Sequence, residues 1–128
     1  MAENVILTEK EQMLADTDDR ISILKEVIKR KEDLESLFLD ERFQNVILSG
    51  YLEEEADRIF GMLTDPTHNL KRDVMENLME KLMATRNVKQ YFRVINQSGD
   101  SAAESLPEEE AYRVQVNKSE SIIEAEVD

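Results

Sequence analysis

The residues able to do chemistry in this chain are few and poorly grouped. His68 is the only histidine, and it follows Asp65, Pro66 and Thr67. A helix-borne zinc or di-iron site needs several His and carboxylate ligands that converge, and no Glu-x-x-His pair occurs. Glu53, Glu54, Glu55 and Asp57 supply carboxylates, but neighbouring positions on one helix point in different directions, which makes a solvated acidic face. Asp16, Asp18 and Asp19 lack the glycine and the distal glutamate of a calcium loop. No glycine-rich phosphate loop is present. Nothing supports a Ser/His nucleophile, and the absence of cysteine excludes disulfides and thiolate metal sites. The expectation is a protein that is not an enzyme, with no cofactor, metal or small-molecule ligand.

Two other groups point to binding. Arg86, Lys89 and Arg93 fall on one side of a helix beside Tyr91 and Phe92. Basic charge next to aromatic rings can serve nucleic acid. Three cations are few, however, and cations near a helix end are favoured by its dipole, so nucleic acid is not the expected partner. Met75, Met79 and Met83 form a ridge, each four residues apart. Methionine fills irregular core gaps and also serves adaptable binding surfaces, so the ridge is either core or a partner surface.

The elements that position these residues are helical. The fold expected is all-α, a bundle or helical hairpin of about three helices with a long first helix. Met1–Leu7 reads as a frayed end. Thr8 followed by Glu11 is a capping box, and the first helix then runs to about Leu39. Leu14, Ile21 and Ile28 repeat every seven residues, with Leu24 and Phe38 as companions. Thr17, Lys31 and Glu35 occupy seam positions and spoil the register. The Asp16–Asp19 cluster marks a break or a new start. Asp40 can cap a central helix that ends at Asp65–Pro66. A third helix then begins within Thr67–Asn69 and runs to about Ile95. Its main stripe is Leu70, Val74, Leu78, Val88, Phe92 and Ile95.

The central helix changes phase. At 100° per residue, Phe43, Val46, Ile47 and Gly50 share one face. Leu52, Ala56, Ile59, Phe60 and Leu63 share a nearly opposite one, with Tyr51 at the changeover. Either the helix breaks at Gly50 or it is sandwiched between different neighbours. Phe43, Val46, Ile47, Gly50 and Tyr51 therefore join Met75, Met79, Met83, Arg86, Lys89 and Arg93 as interaction candidates.

Charge is unevenly spread within a net −13. Residues 1–40 carry eleven acids and six bases, residues 41–96 nine and eight, residues 97–128 nine and two. The domains expected are thus a helical region over 8–96 and a flexible acidic tail over 97–128, punctuated by Gly99 and Pro107. Ser105, Pro107 and Glu108 can start a short helix within it. Such acidity argues against nonspecific binding to DNA or anionic membranes. The N-terminus carries no secretory signal pattern, and no apolar run is long enough to span a bilayer. A reducing cytoplasm fits the absence of cysteine.

Phe43, Gly50–Tyr51, Glu54–Glu55–Ala56, Leu63, Asp65–Pro66 and Tyr91–Phe92 resemble a group of small helical proteins encoded by tailed bacteriophages. The resemblance covers residues 41–96 and carries no catalytic residue. It implies a phage origin, with the host cytoplasm or the virion as the location. It also implies a role in the virion or its assembly, with other virion or assembly proteins as partners. The two-faced central helix, the long first helix and the methionine ridge offer more apolar face than three helices need to satisfy one another, so the function expected is that of a structural or assembly protein that pairs helices with a second copy of the chain. The alternative is an acidic inhibitor or regulator of a host nucleic-acid enzyme, whose carboxylates imitate phosphate charge.

Overall fold

The computed structural model describes residues 8–127, with side chains through Lys118. The protein is all-α. Helix α1 spans Glu9–Leu39. A central helix follows, built from α2 (Glu41–Phe43), a π-helical stretch (Gln44–Glu55) and α3 (Ala56–Thr64). Helix α4 spans Arg72–Val127. The segment expected to fray, Met1–Leu7, lies outside the described residues.

The helix boundaries follow local chemistry. Thr8 and Glu11 form the reciprocal capping box: the Glu11 amide donates to Thr8 Oγ1 at 3.1 Å, and the Thr8 amide donates to Glu11 Oε2. Asp40, in extended backbone, separates α1 from the central helix and accepts from the amides of Arg42 and Phe43. Asp65 closes α3 in extended geometry ahead of Pro66. Helix α4 starts at Arg72, a few residues later than the sequence indicates. No break occurs at Asp16–Asp19, since α1 is continuous there.

Asp40 also gives the central helix an acid-sensitive start. Its carboxyl is held below its ordinary value, first by the Arg42 guanidinium and then by the Arg42 amide. A lowered folded-state value means the stabilisation is fully present above the unfolded value of 3.8 and is lost as pH falls through the folded value beneath it. Asp40→Ala should therefore lower the melting temperature at neutral pH. Asp40→Asn keeps a cap but removes the charge, so the advantage of the native protein over this variant should vanish on acidification. Melts from about pH 6 to about pH 3 test this, and a gap independent of pH would refute it.

The chain forms two compact units, and the division falls inside α1, after Arg30, and inside α4, after Gln97. In the first unit the start of α1 packs antiparallel against α4 beyond Ser98. Arg20 Nε donates to both Glu109 carboxylate oxygens at 3.2 Å, and Arg113 pairs with Asp18. Both helices show coiled-coil spacing: Leu14, Thr17, Ile21, Leu24 and Ile28 on α1 face inward, as do Gly99, Ala102, Leu106 and Glu109 on α4.

This arrangement corrects two expectations. Thr17 does not spoil the seam: it is 0% exposed. Its hydroxyl donates to the Met13 carbonyl at 2.7 Å and accepts from Arg20 Nη2 at 3.0 Å, so it is buried with its polar atom satisfied. The helical region also does not end near residue 96. Helix α4 continues through Gly99 and Pro107, and Ala102 is among the most buried side chains. Small residues there face the larger side chains of α1, which lets the helices interlock. Side chains beyond Lys118, including the Ile122–Ile123 pair, lie outside the described residues.

The second unit, Lys31–Gln97, holds the rest of α1, the central helix and the first part of α4. Leu34, Leu52, Ile59, Leu78, Thr85 and Ile95 are its buried centre. Phe38, Phe43 and Phe92 form one ring cluster, with centroids 5.4 to 6.1 Å apart. Each such pair contributes about 0.5–1.5 kcal/mol beyond area burial. The cluster fixes the corner at Asp40 against α4. Thr85 repeats the Thr17 device, donating to the Leu82 carbonyl at 2.7 Å.

The π-helix explains the phase change. The central helix neither breaks at Gly50 nor presents two buried faces. With i→i+5 bonding each residue advances less than in an α-helix, so positions four or five apart share a face. Phe43, Ile47, Leu48, Leu52, Ala56, Ile59 and Leu63 thereby form one inward stripe. Val46 and Phe60, placed on opposite faces by α-helical spacing, are 62% and 57% exposed.

Candidate interaction surface

The interaction candidates separate into two groups. On the central helix, Phe43 belongs to the phenylalanine cluster, and Ile47 lies half-buried on the inward stripe. Gly50 and Tyr51 are half-buried, and only Val46 is exposed. The role of Gly50 is backbone geometry: a Cβ built there would lie 2.9 Å from the Asn45 carbonyl oxygen. Four of this set are therefore half-buried and one is exposed.

The α4 candidates are all exposed. Met75, Met79 and Met83 stand outside the buried core of the described residues, with Met79 at 52% and Met83 at 58%. Val74, expected on the buried stripe, is also exposed, while Leu78 and Ile95 are buried and Val88 and Phe92 half-buried. Met83 lines a shallow groove with Arg86, Asn87, Lys89, Gln90 and Arg93. Lys89 and Arg93 also border a second groove with Leu48, Leu52, Glu53 and Phe92. Three cations and one methionine thus meet on one side of α4.

Spacing explains the co-location. Reading α4 from Arg72, the positions 72, 76, 79, 83, 86, 90 and 93 alternate steps of four and three, as a helix-pairing seam does. They hold Arg72, Glu76, Met79, Met83, Arg86, Gln90 and Arg93, and every one is exposed. The buried seam of the same stretch, Leu78, Leu82, Thr85, Val88, Phe92 and Ile95, lies on a different side. Helix α4 therefore carries two stripes with this spacing, one buried within the chain and one exposed. Glu76 was not among the sequence candidates, because a lone glutamate beside methionines gives no signal until the ridge is known to be exposed. It accepts from Arg72 Nε at 3.2 Å, with both side chains largely in solvent, where such a pair is weak.

The candidate carboxylates and His68 make hydrogen bonds and ion pairs with their neighbours. Asp65 accepts from the Thr67 amide and hydroxyl, which lower its carboxyl below the ordinary value. His68 Nδ1 lies 3.3 Å from Asp65 Oδ2 in the same turn. Glu55 binds Arg58, which likewise lowers its carboxyl. Asp16 accepts from Gln12, and Asp18 pairs with Arg113. Among the described residues no group of three or more His, Cys, Asp or Glu side chains is placed to hold a metal ion. No helix of the described residues is long and apolar enough to cross a membrane. Comparison with protein-family models, curated proteins and solved structures returns no match.

Proposed function

We propose that this protein is a non-enzymatic structural or assembly protein that works by helix–helix pairing and forms homo-oligomers, as a phage virion or morphogenesis component. The observation that carries this reading is the exposed methionine ridge on α4, of which Met79 and Met83 lie on a stripe of alternating three- and four-residue steps left uncovered among the described residues. Methionine adapts to a partner's contour without a fixed shape. The phage assignment rests on the sequence resemblance over residues 41–96.

Light scattering of the full chain across concentration tests the reading. The mass should exceed that of one chain and fall on dilution. Met79→Glu should give a folded protein of lower mass, since the side chain lies outside the core and a carboxylate at a pairing surface is costly to bury. A strict monomer at high concentration would sink the proposal.

A second reading, an acidic regulator of a nucleic-acid enzyme, has one observation in its favour. Glu104, Glu108 and Glu110 are exposed on a continuous helix, so their carboxylates have fixed spacing. Competition with DNA for such an enzyme by a monomeric form would favour this reading over the first.

A further inference from the structure

We propose that the exposed α4 seam is a self-complementary interface, pairing antiparallel with the same seam of a second copy of this chain about a two-fold axis between Met79 and Met83. The inference rests on the self-association reading above and names its surface and geometry.

Four positions carry it. Along the seam the order is Glu76, Met79, Met83, Arg86, spaced three, four and three residues apart. The order is acid, methionine, methionine, base. Reversed, it reads base, methionine, methionine, acid, which complements the original at every position. An isologous interface has this property, because residue i meets j while j meets i. An antiparallel pair would set Met79 against the partner's Met83 and Glu76 against the partner's Arg86, each contact occurring twice. A parallel pair would set Glu76 against the partner's Glu76 and Arg86 against the partner's Arg86, which like-charge repulsion disfavours.

The groups are available for this. All four side chains are exposed. Arg86 makes no ion pair among the described residues, whereas Arg20, Arg42, Arg58, Arg72 and Arg113 all do. Among the described residues Glu76 is engaged by Arg72, four residues away on the same helix, with both side chains largely in solvent, so turning to a partner sacrifices little. The chain as a whole is strongly acidic, so two copies repel at a distance. The exposed stripe, with Arg72, Arg86 and Arg93 against Glu76, does not share that acidity and is where they can meet.

Charge reversal in the full chain tests the geometry, with sedimentation equilibrium at fixed salt as the readout and circular dichroism to confirm folding. Arg86→Glu and Glu76→Arg should each weaken association by about tenfold or more, because each places like charges together twice per dimer. The double variant, Glu76→Arg with Arg86→Glu, should recover association to within a few fold of the native chain. Failure of the double variant to recover, while folded, would overturn the proposal. So would single reversals that leave the mass unchanged while Met79→Glu lowers it. In that case self-association stands and the register is wrong. A native chain that is monomeric throughout removes the assembly reading and this one together. Loss of binding to an added DNA duplex in Arg86→Glu, with the mass unchanged, would assign the cations to nucleic acid and also overturn it.

Discussion

Ending the chain after Gln97 is expected to unfold the first part of α1 as well as remove the residues cut away. In the first unit the inward positions Leu14, Thr17, Ile21, Leu24 and Ile28 face Gly99, Ala102, Leu106 and Glu109. The cut also removes Glu109 from Arg20 and Arg113 from Asp18. Each fully buried Leu or Ile contributes about 1.5–3 kcal/mol, and half-buried ones contribute less, so several together outweigh two exposed ion pairs. Without them, Glu9–Arg30 becomes a solvated helix with no packing face. Most helical stability in proteins comes from such a face and not from propensity. Far-UV ellipticity should therefore fall by more than residues 98–127 account for. A chain ending at Lys118 keeps the described side-chain contacts and serves as the control for shortening. If the Gln97 truncation kept its melting temperature and its ellipticity per residue, residues 97–128 would be a detached arm and the α1–α4 packing would be wrong.

Gly50→Ala should destabilise the fold, while Gly61→Ala in the same helix should stabilise it. Glycine in a helix interior costs roughly 1 kcal/mol against alanine, so propensity alone predicts a gain at both. The surroundings differ. A methyl at Gly50 meets the Asn45 carbonyl oxygen at 2.9 Å, whereas at Gly61 nothing lies within 4 Å. The obstruction at Gly50 is backbone and cannot swing aside as a side chain would. Forcing an extra carbon into a packed site costs about 1–3 kcal/mol, which outweighs the propensity gain. At Gly61 the gain of up to about 1 kcal/mol should appear in full. Paired thermal melts give opposite signs if the π-helical geometry at Gly50 holds. A rise in melting temperature for both variants would mean that residues 44–55 pass to an ordinary α-helix without loss.

Several features were legible in the residues because they depend on near neighbours. The capping box at Thr8 and Glu11, the Asp40 cap and the stop at Asp65–Pro66 each close within three or four residues, so sequence spacing is enough to specify them. The heptad of Leu14, Ile21, Leu24 and Ile28 likewise marked the buried side of α1. The exposed methionine ridge of α4 was half legible: the methionine spacing was plain, but whether it faced inward was not, since core and interface use the same residues.

The sequence by itself determined an all-α chain and the ends of its first two helices. Tertiary structure decided the rest, for reasons that composition cannot carry. Gly99, Ala102 and Glu109 carry no hydrophobic signal, so the last part of α4 reads as a loop and tail. They pack because facing residues on α1 are large, and fit is a property of the pair. Thr17 reads as a flaw in the seam until the Met13 carbonyl and Arg20 are seen to satisfy its hydroxyl. The phase of the central helix cannot be read at 100° per residue, because the π-helical turn changes the angle itself. Its stripe becomes continuous only once Leu52 and Ile59 are packed in the same core.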